Sequence, residues 1–105
     1  MTTVVFDAIA DPTRRRVLEL LSERELSAGE IAAAFPVSRP AISRHLRVLR
    51  EAGLVRARRD AQQRVYGLDA APLFEVDAWI ETYRRFWPDR LDRLEEHLQR
   101  PKEDR

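Results

Sequence analysis

Between positions 38 and 47 the chain reads Ser38-Arg39-Pro40-Ala41-Ile42-Ser43-Arg44-His45-Leu46-Arg47. Two kinds of chemistry suit these residue types. Ser43 and His45 have the makings of a nucleophile and its base, but on a helix side chains two positions apart do not face each other. No glycine-rich phosphate loop compensates, since the only glycines are Gly29, Gly53 and Gly67, and no acid/base pair stands apart from the surface carboxylates, so the chain is expected not to be an enzyme. Recognition is the better use of the segment. Arginine pairs in bidentate fashion with a guanine edge or a phosphate, and serine bonds several bases or a phosphate. Ser38 also stands where a helix begins, and the outward N–H groups of such an end suit a phosphate. Metal chemistry is poorly supplied. There is no cysteine, which removes disulfides, thiolate ligands and thiol redox sensing, and His45 and His97 are the only histidines. His97 lies near Asp92, Glu95 and Glu96, and two copies of that cluster meeting in a dimer would be the one route to a metal site. A lone surface histidine is more often inert, so no metal and no cofactor is expected.

The charge distribution points the same way. The 105 residues carry a formal net charge of +1, and 18 of the 19 basic residues are arginine. Residues 1–35 hold four basic and six acidic side chains, and residues 65–105 hold seven and ten. Residues 36–64 hold eight arginines (Arg39, Arg44, Arg47, Arg50, Arg56, Arg58, Arg59 and Arg64) against Glu51 and Asp60, a net of +6. A basic block between two acidic ones is either a surface for a polyanion or a solvated face. The order of elements within the block must decide.

A short first helix is expected over Thr3 to Ala10, with Val4, Val5, Phe6 and Ile9 as its apolar side. Asp11-Pro12 starts a second helix that runs through Val17, Leu18, Leu20 and Leu21 to about Glu23. Ser27 and Glu30 form a capping box for a third, which carries Ile31, Ala32 and Phe35 and is broken by Pro36-Val37. Ser38 caps a fourth, in which Ile42, Leu46 and Leu49 make a buried stripe and Gly53 closes the C-terminus. Strands are expected at 55–59 and 64–68, joined through Asp60-Ala61-Gln62-Gln63. From Ala70 the pattern is helical again: Leu73, Val76, Ile80, Tyr83, Trp87, Leu91, Leu94 and Leu98 form a heptad-like stripe, with a kink or a fresh helix at Pro88. Residues 1–99 therefore read as one domain and 100–105 as a polar tail.

Ser27 to Gly53 is thus a helix-turn-helix followed by a basic hairpin. In such a motif the second helix lies in the major groove. With Ile42, Leu46 and Leu49 turned inward, its outer side offers Arg39, Ser43, Arg44 and Arg47, next to Ser38 and Pro40. The hairpin adds Arg58, Arg59 and Arg64 at the edge of the same surface, suited to phosphates or a narrow minor groove. Each piece alone is common; their order inside a +6 block favours double-stranded DNA as the partner.

Asp11-Pro12-Thr13-Arg14, Leu26-Ser27-Ala28-Gly29-Glu30-Ile31-Ala32 and the run from Ser38 to Val55 resemble the ArsR/SmtB-type winged-helix repressors of bacteria. The resemblance extends through Arg64-Val65-Tyr66 and covers about residues 4–99, with Ser43-x-His45-Leu46 to Gly53-Leu54-Val55 as its most specific part. It implies a mainly α fold with a β-hairpin wing and a homodimeric repressor on a two-fold symmetric operator. It also implies that Ser38, Arg39, Ser43, Arg44 and Arg47 meet DNA and that Arg64 belongs to the wing. His45 fits the pattern too, either bonding backbone or phosphate locally or reading a base. The chain departs from the family's metal sensors: the third helix, Ala28 to Ala34, lacks a cysteine pair, and the last helix offers only His97. It is similar to the metal-independent branch. Ala61 replaces the usual wing glycine, so a longer or looser wing tip is expected. A ligand- or metal-responsive sensor of the same fold, and a winged-helix module that binds protein or packages DNA without sequence choice, are the alternatives.

The last helix argues for self-association. Trp79 and Phe86 each precede a stripe residue by one position, about 100° around the helix, so the apolar face is wider than one small domain covers. A seam formed by Phe6, Ile9, Val76, Ile80, Tyr83, Trp87 and Leu91 is expected, pairing the terminal helices of two copies. No apolar run approaches the roughly 18 residues needed to span a membrane, and no signal peptide is visible, so a cytoplasmic location is expected. No inducer is singled out by the residues.

Overall fold

Three successive caps set the helical part of the chain, as seen in a computed structural model that describes residues 3–87. Helix α1 spans Thr3–Ala10 and α2 spans Pro12–Leu21. Asp11 sits at the N-cap of α2 in extended geometry, its carboxylate accepting from the Arg14 backbone N–H at 3.0 Å. Strand β1, Leu26–Ser27, leads directly into α3, Ala28–Ala33. The Ser27 hydroxyl oxygen accepts from Glu30 N–H (3.1 Å) while the Glu30 carboxylate accepts from Ser27 N–H (2.8 Å), the expected capping box. Ser38 caps α4, Arg39–Glu51, with Pro40 in its first turn, where no helical N–H is lost. At the other end Gly53 takes φ +79°, Gly53 N–H donates to Arg50 C=O (2.9 Å) and Leu54 N–H to Leu49 C=O (3.0 Å). That pair of bonds is a Schellman closure, which needs a left-handed residue at the position Gly53 fills.

Strands β2, Val55–Asp60, and β3, Gln63–Leu68, form the hairpin, and helix α5 spans Leu73–Arg84. The sheet has the antiparallel order β1-β3-β2, with Leu26 opposite Tyr66 and Ala57 opposite Tyr66 on the other side. The core is continuous through these elements: Val5 and Ala8 of α1, Val17, Leu18 and Leu21 of α2, Ile31 of α3, and Ile42, Leu46 and Leu49 of α4 pack with Leu26, Leu54, Val55 and Tyr66. The predicted stripe of α4 is the buried one, and truncating its fully buried Leu49 to alanine should cost about 2–5 kcal/mol.

Several expectations are corrected. The sheet has three strands, not two, because the cap residue Ser27 and its neighbour also pair with β3. The hairpin is longer by one residue at each inner end, and Asp60 pairs with Gln63, leaving a loop of only Ala61-Gln62. The wing tip is therefore tight rather than long or loose. Ala61 accepts φ +58°, the conformation that glycine would have taken freely. Positive φ at the first loop position alone fits a type II′ turn, whose twist matches the flanking strands. Val4 is exposed, and Ala8 takes the buried place assigned to it. Helix α5 begins at Leu73, not Ala70, and none of its residues is fully buried. The kink at Pro88, the seam residue Leu91 and the histidine His97 lie outside the described residues.

Candidate nucleic-acid interface

Helix α4 lies with one side in the core and the other in solvent. At 100° per residue, Ser43, Arg47, Pro40 and Arg44 fall within an arc of about 100°, roughly opposite the Ile42–Leu46–Leu49 stripe. All four are exposed, as are Ser38 and Arg39 at the start of the helix. The Ser38 hydroxyl oxygen accepts from Ala41 N–H at 3.2 Å, which leaves its O–H as a donor to solvent or to a ligand. Among the described residues no carboxylate lies within 4.0 Å of Arg39, Arg44 or Arg47. The face presents unneutralised guanidinium groups.

His45 is turned away from that face. Its Nδ1 lies 3.2 Å from Arg14 Nη1 and 3.9 Å from Asp11 Oδ2. Arginine is always a donor, so Nδ1 accepts and the ring proton belongs on Nε2. Within the protomer the partner of His45 is thus a side chain, that of Arg14, rather than backbone. Arg14 does more than hold His45: its Nε donates to Ala8 C=O (2.7 Å) and its Nη2 to Asp7 C=O (3.0 Å). Arg15 Nη1 donates to Ile9 C=O (2.7 Å) and Ala10 C=O (3.2 Å). The last four carbonyls of α1, orphaned by the helix itself, are all satisfied by two guanidinium groups from α2. One cluster therefore ties α1, α2 and α4 together. The Arg14 N–H donating to Asp11 holds that carboxyl below its ordinary range, against the opposing effect of partial burial. The signal for this role was present in the sequence, since α1 has no basic residue in its own last turn and two arginines follow within five residues.

The wing splits its arginines between two faces. Val55, Ala57 and Arg59 alternate with Arg56, Arg58 and Asp60 along β2, and in the ladder Arg59 stands opposite Arg64. The first set shares the side of Tyr66 and Leu26, hence of the core; past its end Arg59 and Arg64 project as an exposed like-charged pair. Directly opposed like charges are destabilising, and among the described residues no carboxylate within 4.0 Å offsets them. Arg58 is on the other side of the sheet. It bonds Glu25 at 2.8 Å and lies 3.9 Å from Asp60. Glu25 reaches it across the central strand, over Gly67, where a Cβ would lie 3.1 Å from Glu25 Oε2. Gly67 thus leaves room for the close approach of Glu25, whose side chain a Cβ would push aside by a few tenths of an ångström. Glu25, unnoticed in the sequence, anchors the wing to the turn before β1.

Of the residues assigned to a seam, Phe6, Ile9, Val76 and Ile80 are half-buried within the protomer, whereas Tyr83 and Trp87 are exposed. Phe6 meets Trp79 edge to face at 5.5 Å, and Trp79 meets Tyr83 at 5.1 Å. This row joins α1 to α5 and remains open outward, with Trp79 54% and Phe86 65% exposed. No helix among the described residues is long and apolar enough to cross a membrane.

Comparison with known proteins gives a consistent picture. The family described as "Bacterial regulatory protein, arsR family" matches residues 11–57. The chain is similar to the transcriptional repressor SdpR of Bacillus subtilis, 41% identical over 76 residues, covering 72% of this chain and 84% of that protein. It is similar to the transcriptional activator HlyU of Vibrio cholerae, 38% identical over 84 residues, covering 80% and 75%. Among solved structures, an ArsR-like transcriptional regulator from Rhodococcus sp. RHA1 superposes with a TM-score of 0.73 at 31% identity, covering 92% of this chain and 89% of that one.

Proposed function

Because the chain belongs to the ArsR family of bacterial DNA-binding transcriptional regulators, we propose that it is a homodimeric, metal-independent repressor that occludes a promoter by binding an inverted-repeat operator. The observation that carries the reading is the exposed arc of α4, where Arg44 and Arg47 flank Pro40 beside Ser43 and, among the described residues, no carboxylate lies within 4.0 Å of either arginine. Arg39 and Ser38 meet the backbone at the helix N-terminus, and Arg59 and Arg64 reach it from the wing. Arg58, clasped by Glu25, contributes by holding the wing rather than by touching DNA. Dimerisation is supported by the open aromatic row Phe6–Trp79–Tyr83 and by exposed Phe86 and Trp87, to which the half-buried Ile9, Val76 and Ile80 add aliphatic surface; Leu91, assigned to the same seam, lies outside the described residues. Two such copies would place their α4 helices about 34 Å apart, one turn of duplex. Repression rather than activation follows the repressor named above, although an activator is also among the similar proteins. Independence from metal is supported by the absence of cysteine and by Glu30, whose carboxylate is engaged by its own capping box.

The test is a footprint and an in vitro transcription assay on the DNA upstream of the gene. Two protected half-sites about one helical turn apart, with falling transcript, are expected. A rise in transcript would overturn repression, and equal binding of this DNA and a scrambled duplex at every salt concentration would overturn sequence choice. Arg44→Ala should weaken operator binding by about 1–3 kcal/mol. Sedimentation should show a dimer that Trp79→Ala weakens, and a chelator should leave affinity unaltered.

A further inference from the structure

Between the C-terminal half of α4 and the start of β2 lies an open cleft of about 550 Å³, lined by Arg47, Arg50, Glu51, Val55, Arg56 and Ala57. Its lining holds three arginines and one carboxylate, Arg47, Arg50 and Glu51 from the helix and Arg56 from the strand. Arg50 follows Arg47 by three positions, which turns it back by about 60° around the helix, off the exposed arc and toward the wing. Among the described residues no carboxylate lies within 4.0 Å of Arg47 or Arg50. Arg56 is partly neutralised, its Nε lying 3.4 Å from Asp69 Oδ2, but its side chain is 77% exposed. The lining is net positive, which favours an anion in the cleft.

Duplex geometry supplies the anion. A helix laid in a major groove and a hairpin reaching the next minor groove are separated by one sugar-phosphate strand. That strand has to pass between α4 and the wing, and the cleft is the space between them. We propose that this cleft seats the phosphodiester backbone of bound DNA, with Arg50 donating to a phosphate oxygen and Arg56 flanking it. The inference rests on the DNA-binding reading above and adds two residues to it. Arg50 lies on the flank of the helix, so it contributes affinity and register but no sequence choice.

The test is a salt series by fluorescence anisotropy with two 30-base-pair duplexes, one of mixed sequence and one carrying a site enriched from a random pool by the wild-type protein. Arg50→Ala should lower the slope of log K against log[NaCl] by about 0.9 for each protomer bound. It should weaken both duplexes by the same factor, and Arg50→Lys should restore most of the slope. Arg24→Ala, which removes an exposed cation on the turn before β1, is the control and should leave the slope unchanged. An Arg50→Ala slope equal to that of wild type and Arg24→Ala overturns the seat while leaving DNA binding in place. A loss confined to the enriched duplex overturns it in favour of a base contact. Wild-type protein that enriches no site from the pool and does not bind the mixed-sequence duplex overturns the DNA-binding reading and the seat together.

Discussion

Replacing Arg14 by alanine removes three hydrogen bonds at once: those to Ala8 C=O at 2.7 Å, Asp7 C=O at 3.0 Å and His45 Nδ1 at 3.2 Å. A bond from a charged donor contributes about 1.5–3 kcal/mol when its acceptor is left unsatisfied. Here the Asp7 carbonyl is exposed and water replaces the lost donor, so the low end applies there. The three bonds share one side chain and do not add. A total loss of about 2–3 kcal/mol is the reasoned value. The loss should fall first on α1. An eight-residue helix is too short to persist alone, and its remaining ties are the burial of Val5 and Ala8, the edge contact of Phe6 with Trp79 and the exposed bonds from Arg15 to the Ile9 and Ala10 carbonyls. Hydrogen exchange read by mass spectrometry should therefore show protection of residues 4–10 falling by roughly thirtyfold or more, a factor of ten corresponding to about 1.4 kcal/mol. The amides of α4 should change less, and the urea midpoint should fall. Arg15→Ala, losing two exposed contacts of a single nitrogen, should show the smaller effect. Arg14→Ala with unchanged exchange in α1 and an unchanged urea midpoint would refute the claim that this guanidinium closes the helix and fastens it to α4.

Three further outcomes are expected. The Asp11 carboxyl is held below its ordinary value of 3.8, so its charge stabilises the fold above that value and the benefit is lost as pH falls through the lower native value. Asp11→Asn keeps a capping side chain without the charge, and the gap in melting temperature between it and wild type should be constant near neutral pH and close below about pH 4; a gap that widens in acid would contradict the assignment. Ala61→Gly should raise stability by about 0.5–1 kcal/mol, because relief of the positive φ exceeds the added freedom of the unfolded chain, as thermal melting would show. Arg64→Thr should stabilise the isolated protein by a few tenths of a kcal/mol by removing the like charge set opposite Arg59, yet weaken its binding to duplex DNA; an unaltered affinity would remove the wing from the interface.

Legibility from sequence followed the range of the interactions. Caps and stripes are local, so Asp11, the Ser27–Glu30 box, Ser38, the Ile42–Leu46–Leu49 stripe and Gly53 were all readable, and the family resemblance rested on those same positions. Strand β1 was hidden because two residues give no alternation, and its existence depends on Leu26 meeting Tyr66, forty positions away in the chain. The tight wing tip was misjudged because alanine is a poor residue for a left-handed conformation; the six-residue register of β2 with β3 outweighs the local cost at Ala61. Composition revealed the basic block but could not divide it. Arg58 and Arg59 are adjacent in sequence, and only the register with β3, together with the approach of Glu25 over Gly67, sends one to an acidic partner and the other into solvent.

That division carries the functional argument further than the net charge does. A basic surface selected only for solubility would have no reason to neutralise one side of a hairpin and leave the other unneutralised. On the side away from the core, Arg56 and Arg58 are matched by Asp69, Glu25 and Asp60. On the other side Arg59 and Arg64 are set opposite each other with no carboxylate near among the described residues, and the exposed arc of α4 is treated the same way. Acidic residues are plentiful in this chain, so their exclusion from these two patches is a local conflict with stability. Such conflicts persist where binding relieves them. A polyanion that runs from the arc of α4 past Arg50 to the tip of the wing would relieve both at once, and a patch of acidic protein surface would have to copy the spacing of a phosphate strand to do the same.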